Sequence, residues 1–332
     1  MKPLTTFSPF KILPLLIPAA FLLTIGILWL PGHPELLNNG YVDTFKTAFL
    51  GILLEALPFV LLGALLSSLL RVFVPDEMIS RWIPRHPVPA ILFGCLLGII
   101  FPVCECGMIP LVRRLMHKGM PLYVAIVFIL SGPILNPVVY GATLTAFRSH
   151  PELAYARMGL AFAVSALIGL VIYATIRKSP LRLSIPREGG EEHHGTTRGG
   201  RVVAVFVHTS DEFFEMGKYL IIGCLLTAGI QTFMNHGSLT AIGERPLGSY
   251  LFMMGLAFVL SLCSTSDAFV ASTFLHSFPA GSLLAFMVLG PMLDFKNSLM
   301  LLSLFKTRFA LYLFFLIVSA VFTGSVLASL WL

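Results

Sequence analysis

The residues best equipped for chemistry are Cys104, Glu105 and Cys106, two soft thiols on either side of a hard carboxylate. On a regular helix the two thiols diverge by about 200°, so only a broken segment turns both toward one ligand. Pro102, Gly107 and Pro110 surround them and supply the break. Cys263, Ser264 and Asp267 form a second constellation farther along the chain. Three thiolates, from Cys104, Cys106 and Cys263, suit a soft trivalent or d10 ion such as arsenic(III), copper(I) or zinc(II). The plainer alternative is that cysteine serves as a small apolar residue, and Cys95 and Cys224, alone on apolar faces, are read that way.

Glu55, Glu105, Asp267, Asp294 and Lys296 also fall inside apolar runs. Each costs about 2.5 to 3.5 kcal/mol at the centre of a lone inserted helix, so partners or water must offset it. Asp294 and Lys296 neutralising each other is one reading. A polar cavity shared by Glu105, Asp267 and the neighbouring cysteines is the other, with Glu55 as a coupling or proton site. His193 and His194 follow Glu191 and Glu192 in a polar stretch and read as linker rather than chelator.

These residues must be positioned by membrane helices. Hydrophobic residues make up 57% of the 332 and charged residues only 11%, where a soluble domain carries about 25%. The apolar runs reach the roughly 20 residues that cross a hydrocarbon core as helix, and they lack the alternation of barrel strands. Basic residues are scattered through short loops without a stripe, which argues against nucleic acid.

The chain reads as an N-terminal transmembrane anchor and loop (1–46), a first transmembrane repeat (47–176), a polar cytoplasmic linker (177–212) and a second repeat (213–332). Cysteine, Gly-Pro pair and polar residue recur in order: Cys104, Gly132-Pro133 and Asn136, then Cys263, Gly290-Pro291 and Asp294. One gap aligns the whole series, which marks an internal duplication, the usual architecture of secondary transporters. Arg113, Arg114, His117 and Lys118 crowd one hairpin tip, while Ser272 to Phe278 contains no Lys or Arg. By the positive-inside rule the copies are then inverted. The expected fold is an all-α integral membrane protein of two inverted repeats, with broken or re-entrant helices, after an extra N-terminal helix.

Backbone departs from helix inside a bilayer only where protein or a water-filled cavity satisfies its polar groups. The breaks at Pro102, Gly107, Gly132, Pro133, Gly290 and Pro291 therefore mark a cavity, with Cys104, Glu105, Cys106, Asn136, Cys263, Ser264, Asp267 and Asp294 as its expected substrate-binding residues. The alternative is a set of proline kinks and close helix packing.

The blocks FPVCECGMIPLVRRLMHKG with SGPILNP, and SLCSTSDAFVASTFLHSF with LGPMLDF, resemble a bacterial family of predicted permeases that includes organoarsenical efflux permeases. The resemblance spans about residues 47–332. It implies a plasma-membrane permease of paired repeats but does not settle the cargo: the family's branches carry trivalent organoarsenicals or transition metals, and some members work with a second protein. No cofactor is expected. The family's cysteine motif falls on Cys104 and Cys106, and its second motif on Cys263, Ser264 and Asp267. Many relatives read Cys-Ser-Cys in the first block, whereas Glu105 stands in the middle here. The expected function is a permease for a soft, thiol-seeking ion or organometalloid, working by alternating access. A non-transporting subunit of a larger assembly and a cysteine-dependent intramembrane enzyme are the competing classes. The enzyme ranks low, because a nucleophilic thiol needs a nearby base and His117 lies about three helical turns from Cys106.

Overall fold

The structure is a computed structural model, and it describes residues 41–73, 83, 84, 86–100, 105–176, 198–233, 246–275 and 277–331. The expected N-terminal helix, residues 177–197 of the linker, Pro102 and Cys104 lie outside the described residues. Twelve α-helices and no β-strand occur among the described residues. They are α1 (Tyr41–Phe73), α2 (Pro87–Ile100), α3 (Glu105–His117), α4 (Leu122–Ser131), α5 (Pro137–Ala146) and α6 (Glu152–Thr175). Then follow α7 (Arg198–Phe233), α8 (Pro246–Leu260), α9 (Ser266–Thr273), α10 (Ala280–Met292), α11 (Phe295–Leu304) and α12 (Thr307–Ala328).

The order of lengths runs twice, a long helix, four short ones, then another long one, so each of α1 to α6 has a counterpart six places on. Contacts follow the same pairing in part. α2 packs on α4 as α8 packs on α10, and α4 packs on α6 as α10 packs on α12. Across the halves, α3 meets α11 and α9 meets α5, which are equivalent joints.

α4 and α10 are apolar all round and sit at the centre, with Val124 to Ser131 and Gly281 to Met292 buried throughout. The outer helices keep large apolar side chains exposed, among them Leu54, Leu61, Leu167, Leu170, Leu311 and Phe315. In an all-α membrane protein that face is solvated by lipid. Val42–Leu69, Glu152–Thr175, Ala280–Leu304 and Thr307–Ala328 are each long and apolar enough to cross a bilayer. α2, α4 and α8 are apolar but fall short of the roughly 20 residues a crossing needs.

The polar stretch expected to continue through residue 212 gives way to helix at Arg198. The reason is a stripe the composition hides: Val205, Thr209, Met216, Leu220, Cys224 and Ala228 are buried at helical spacing, on a helix that packs against α1. Thr209 is tolerated there because its hydroxyl donates to the Val205 carbonyl at 2.7 Å. α1 answers with small residues on one face, Ala56, Val60, Gly63, Ala64 and Ser67, which let neighbouring backbones approach. A Cβ on Gly63 would stand 2.4 Å from the Cα of Gly107, so α1 and α3 meet backbone to backbone.

Candidate functional site

Four helices begin at the breaks, and each receives a polar residue at its first turn or cap. Glu105 opens α3 and Asp267 lies in the first turn of α9, where carboxylates meet the positive end of the helix dipole. Asn136 caps α5, its Oδ1 accepting from the Val139 N–H at 2.9 Å, and Asp294 caps α11 by accepting from the Asn297 N–H. Asn136 and Asp294, aligned in the sequence repeat, thus do the same local work. The Asn136 amide also donates to the carbonyls of Gly132 and Pro133 at 3.4 and 3.3 Å, which holds the turn between α4 and α5.

The Gly-Pro pairs differ. Gly132 and Pro133 do interrupt the chain, since α4 ends at Ser131. Gly290 and Pro291 instead lie within α10, which runs to Met292 and breaks at Leu293. Proline removes one helical hydrogen bond but does not end a helix that is packed on every side. The positions that face the pairs correspond, Gly98 against Gly132 and Ala257 against Gly290, though the first crossing is the closer.

Each joint between the halves carries a buried ion pair. At α9, the Arg157 guanidinium of α6 donates to both Asp267 oxygens at 3.0 and 2.8 Å, to the Ser264 carbonyl at 3.0 Å and to Thr143 Oγ1 at 2.8 Å. One positive charge meets one negative, both essentially inaccessible. At α3, Lys296 Nζ stands 3.5 Å from Glu105 Oε1 and 3.7 Å from Asp294 Oδ2. Here one ammonium faces two carboxylates at longer range. Glu105 Oε2 and Asp294 Oδ2 have no hydrogen-bond partner.

The looser joint borders a narrow cleft lined by Ile52, Glu55 and Ala56 of α1, Glu105 and Cys106 of α3, Cys263, and Lys296 of α11. Glu55 accepts a hydrogen bond from the Ser266 hydroxyl at 3.0 Å. Of the residues expected from sequence, Glu55, Glu105, Cys106 and Cys263 therefore come together. Asp294 stands behind Lys296, while Asp267 and Ser264 are engaged by Arg157, and Asn136 is a helix cap. Gly107, expected as a break, lies instead inside α3, where it serves close packing against Gly63. Among the described residues no group of three or more His, Cys, Asp or Glu is arranged to hold a metal ion, and the expected third thiol, Cys104, lies outside them.

Sequence reasoning gave Arg157 no role. Pro151 followed by Glu152 is a helix-start signal that would have placed Arg157 more than a turn inside the helix.

A helical membrane protein with lipid-facing apolar helices outside, and a charged, thiol-bearing cleft between two related halves inside, is built as a permease. The chain belongs to the ArsP_1 family, described as predicted permeases, whose family model matches residues 42–330. It is 46% identical over 282 residues to UPF0718 protein YcgR of Bacillus subtilis, covering 85% of this chain and 96% of that one. It is 37% identical over 263 residues to a protein of Streptococcus mutans named putative two-component membrane permease complex subunit, covering 79% and 87%. The family description and the Streptococcus name are those of transport proteins, not enzymes. No solved structure matches the chain.

Proposed function

We propose that this permease moves a soft, thiol-seeking ion or organometalloid, such as a trivalent arsenical, zinc or copper(I), across the bacterial plasma membrane. The observation that carries the reading is that Cys106 and Cys263, one from each half, line one cleft with Glu105, Glu55 and Lys296. Thiols select soft cargo, and the carboxylates and ammonium balance its charge. Cys104, two residues before Cys106, is the third proposed thiol. Glu55 is the coupling residue, and Asp294 sets the charge of Lys296 from behind. The chain crosses the membrane several times as two inverted repeats, 47–176 and a second ending at 332, which rock about the cleft to open it to either side. Because the Streptococcus relative is named as a complex subunit, a second protein subunit is part of the proposal. A scaffold subunit would have no use for a cleft of this chemistry.

The test is flux through the purified chain in proteoliposomes, with zinc, copper(I) and phenylarsine oxide at equal concentrations. Transport of at least one is expected, lowered about tenfold or more by Cys106→Ser or Cys263→Ser and little by Cys95→Ser or Cys224→Ser. Undiminished flux through a variant with serine at 104, 106 and 263 would sink the thiol reading and transfer the ligand role to the carboxylates that line the cleft, Glu55 and Glu105.

A further inference from the structure

We propose that Arg157 is a positioning residue for cargo recognition: from the first half it fixes the segment that presents Cys263 to the cleft. The inference rests on the reading of Cys263 as a cargo ligand, but the geometry behind it is separate. Cys263 lies in a non-helical stretch between α8 and α9. The stretch begins at Ser261, whose φ of 48° puts a non-glycine residue in the left-handed region, a conformation that persists only where the surroundings impose it. It ends where Asp267 N–H donates to the Cys263 carbonyl at 3.0 Å.

Within the stretch the thiol accepts a hydrogen bond from the Thr265 hydroxyl at 3.8 Å, a neutral and local contact. The strong interactions come from outside. Arg157 holds the Ser264 carbonyl, one residue from Cys263, and clamps both oxygens of Asp267. Its other arm reaches Thr143 of α5, whose own hydroxyl donates to the Val139 carbonyl at 2.7 Å. The α5 N-terminus is in turn capped by Asn136. A continuous polar chain thus runs from the break of the first half to the break of the second, and Arg157 is its centre.

Neither Arg157 nor Asp267 lines the cleft, so Arg157 acts through Cys263 and not on the cargo. The role needs a guanidinium in particular. A planar fork can hold a backbone carbonyl, a carboxylate and a hydroxyl at once, whereas a lysine ammonium of the same charge cannot match that geometry. The equivalent joint at α3 has a lysine at longer distances. The two thiols are therefore held differently, Cys263 by a rigid clamp from the other half and Cys106 within a helix beside a loosely paired acid.

The experiment uses the full chain in proteoliposomes, in one background keeping Cys263 as the single cysteine and a second keeping Cys106. N-ethylmaleimide is the probe of thiol geometry. Arg157→Lys keeps the charge and loses the fork. It is expected to change the labelling rate of Cys263 by about fivefold or more while that of Cys106 stays within about twofold. Thr143→Val keeps both charges and removes one anchor, and should shift Cys263 in the same direction by at least about twofold. It decides the matter if Arg157→Lys does not accumulate in the membrane. Unchanged Cys263 labelling in Thr143→Val and in any Arg157→Lys protein recovered overturns the proposal, as does an equal change at both thiols, which a merely structural role would give.

In the chain with all its cysteines, Arg157→Lys should also weaken the protection of Cys263 by phenylarsine oxide. If phenylarsine oxide protects nothing even without the substitution, the cargo reading loses its thiol support, while the labelling rates still decide the role of Arg157.

Discussion

Lys296 is the residue on which the charge balance of the cleft turns. It is the cation found within 4 Å of both Glu105 and Asp294, and all three are buried. Removing one partner of a buried ion pair leaves an uncompensated charge and costs about 3 to 5 kcal/mol. Lys296→Met is therefore expected to lower the unfolding temperature of the purified protein in detergent sharply. Adding Glu105→Gln should recover part of the loss, because the second change removes one of the two stranded carboxylates. A double variant as unstable as the sum of the two singles would show that the charges are uncoupled. Much at this scale was legible beforehand. The costs of burying Glu105, Asp294 and Lys296 required partners, and an Asp294–Lys296 pairing was one of the two readings open. What could not be read was that Glu105, almost two hundred positions away, shares the same ammonium. The Arg157–Asp267 clamp was equally hidden, since nothing local ties a residue near the start of α6 to one near the start of α9.

At the scale of elements, residues aligned across the two halves in the sequence do the same local work. Asn136 and Asp294 cap equivalent helices, and Gly132 and Gly290 pack against the equivalent positions 98 and 257. The start of α7 was not readable, because the β-branched run at 202–207 (VVAVFV) carries no helical period, and the polar residues 208–212 after it mask the two buried positions, Val205 and Thr209, of a helix that packs on α1. The glycine contacts also separate two kinds of small residue. A Cβ on Gly98 would stand 2.8 Å from the Cα of Gly132, so Gly98→Ala must push two backbones apart. At Gly290 the nearest atom is Ala257 Cβ at 3.8 Å, an ordinary contact. Thermal unfolding should report a loss of about 1 to 3 kcal/mol for Gly98→Ala and a value near the parent for Gly290→Ala. Equal losses would mean that the halves are packed alike at these crossings, against the difference in distance. Ser261 offers a third measurement: glycine accepts its left-handed backbone without strain, so Ser261→Gly should be neutral or stabilising by up to about 1 kcal/mol, despite the usual entropic cost of glycine.

For the whole molecule, the question is how the two halves face the membrane. Both halves contain the same order of helices, so their relative orientation must come from the charges at their ends. The tip after α3 carries Arg113, Arg114, His117 and Lys118, and its counterpart after α9 has no Lys or Arg. Cytoplasmic loops hold the excess of basic residues, which puts the first tip inside and the second outside if the copies are inverted. Lys118 is a poor place to test this, being 3% exposed. His117 and Ser277 are exposed at the two tips and make better probes. With the native cysteines replaced by serine, His117→Cys should react with a membrane-impermeant maleimide only in inside-out vesicles, and Ser277→Cys only in intact cells. Reaction of both from one side would require the copies to be parallel. In that case the inverted arrangement fails, and any rocking of one half against the other would have to be that of parallel repeats, related by an axis along the membrane normal.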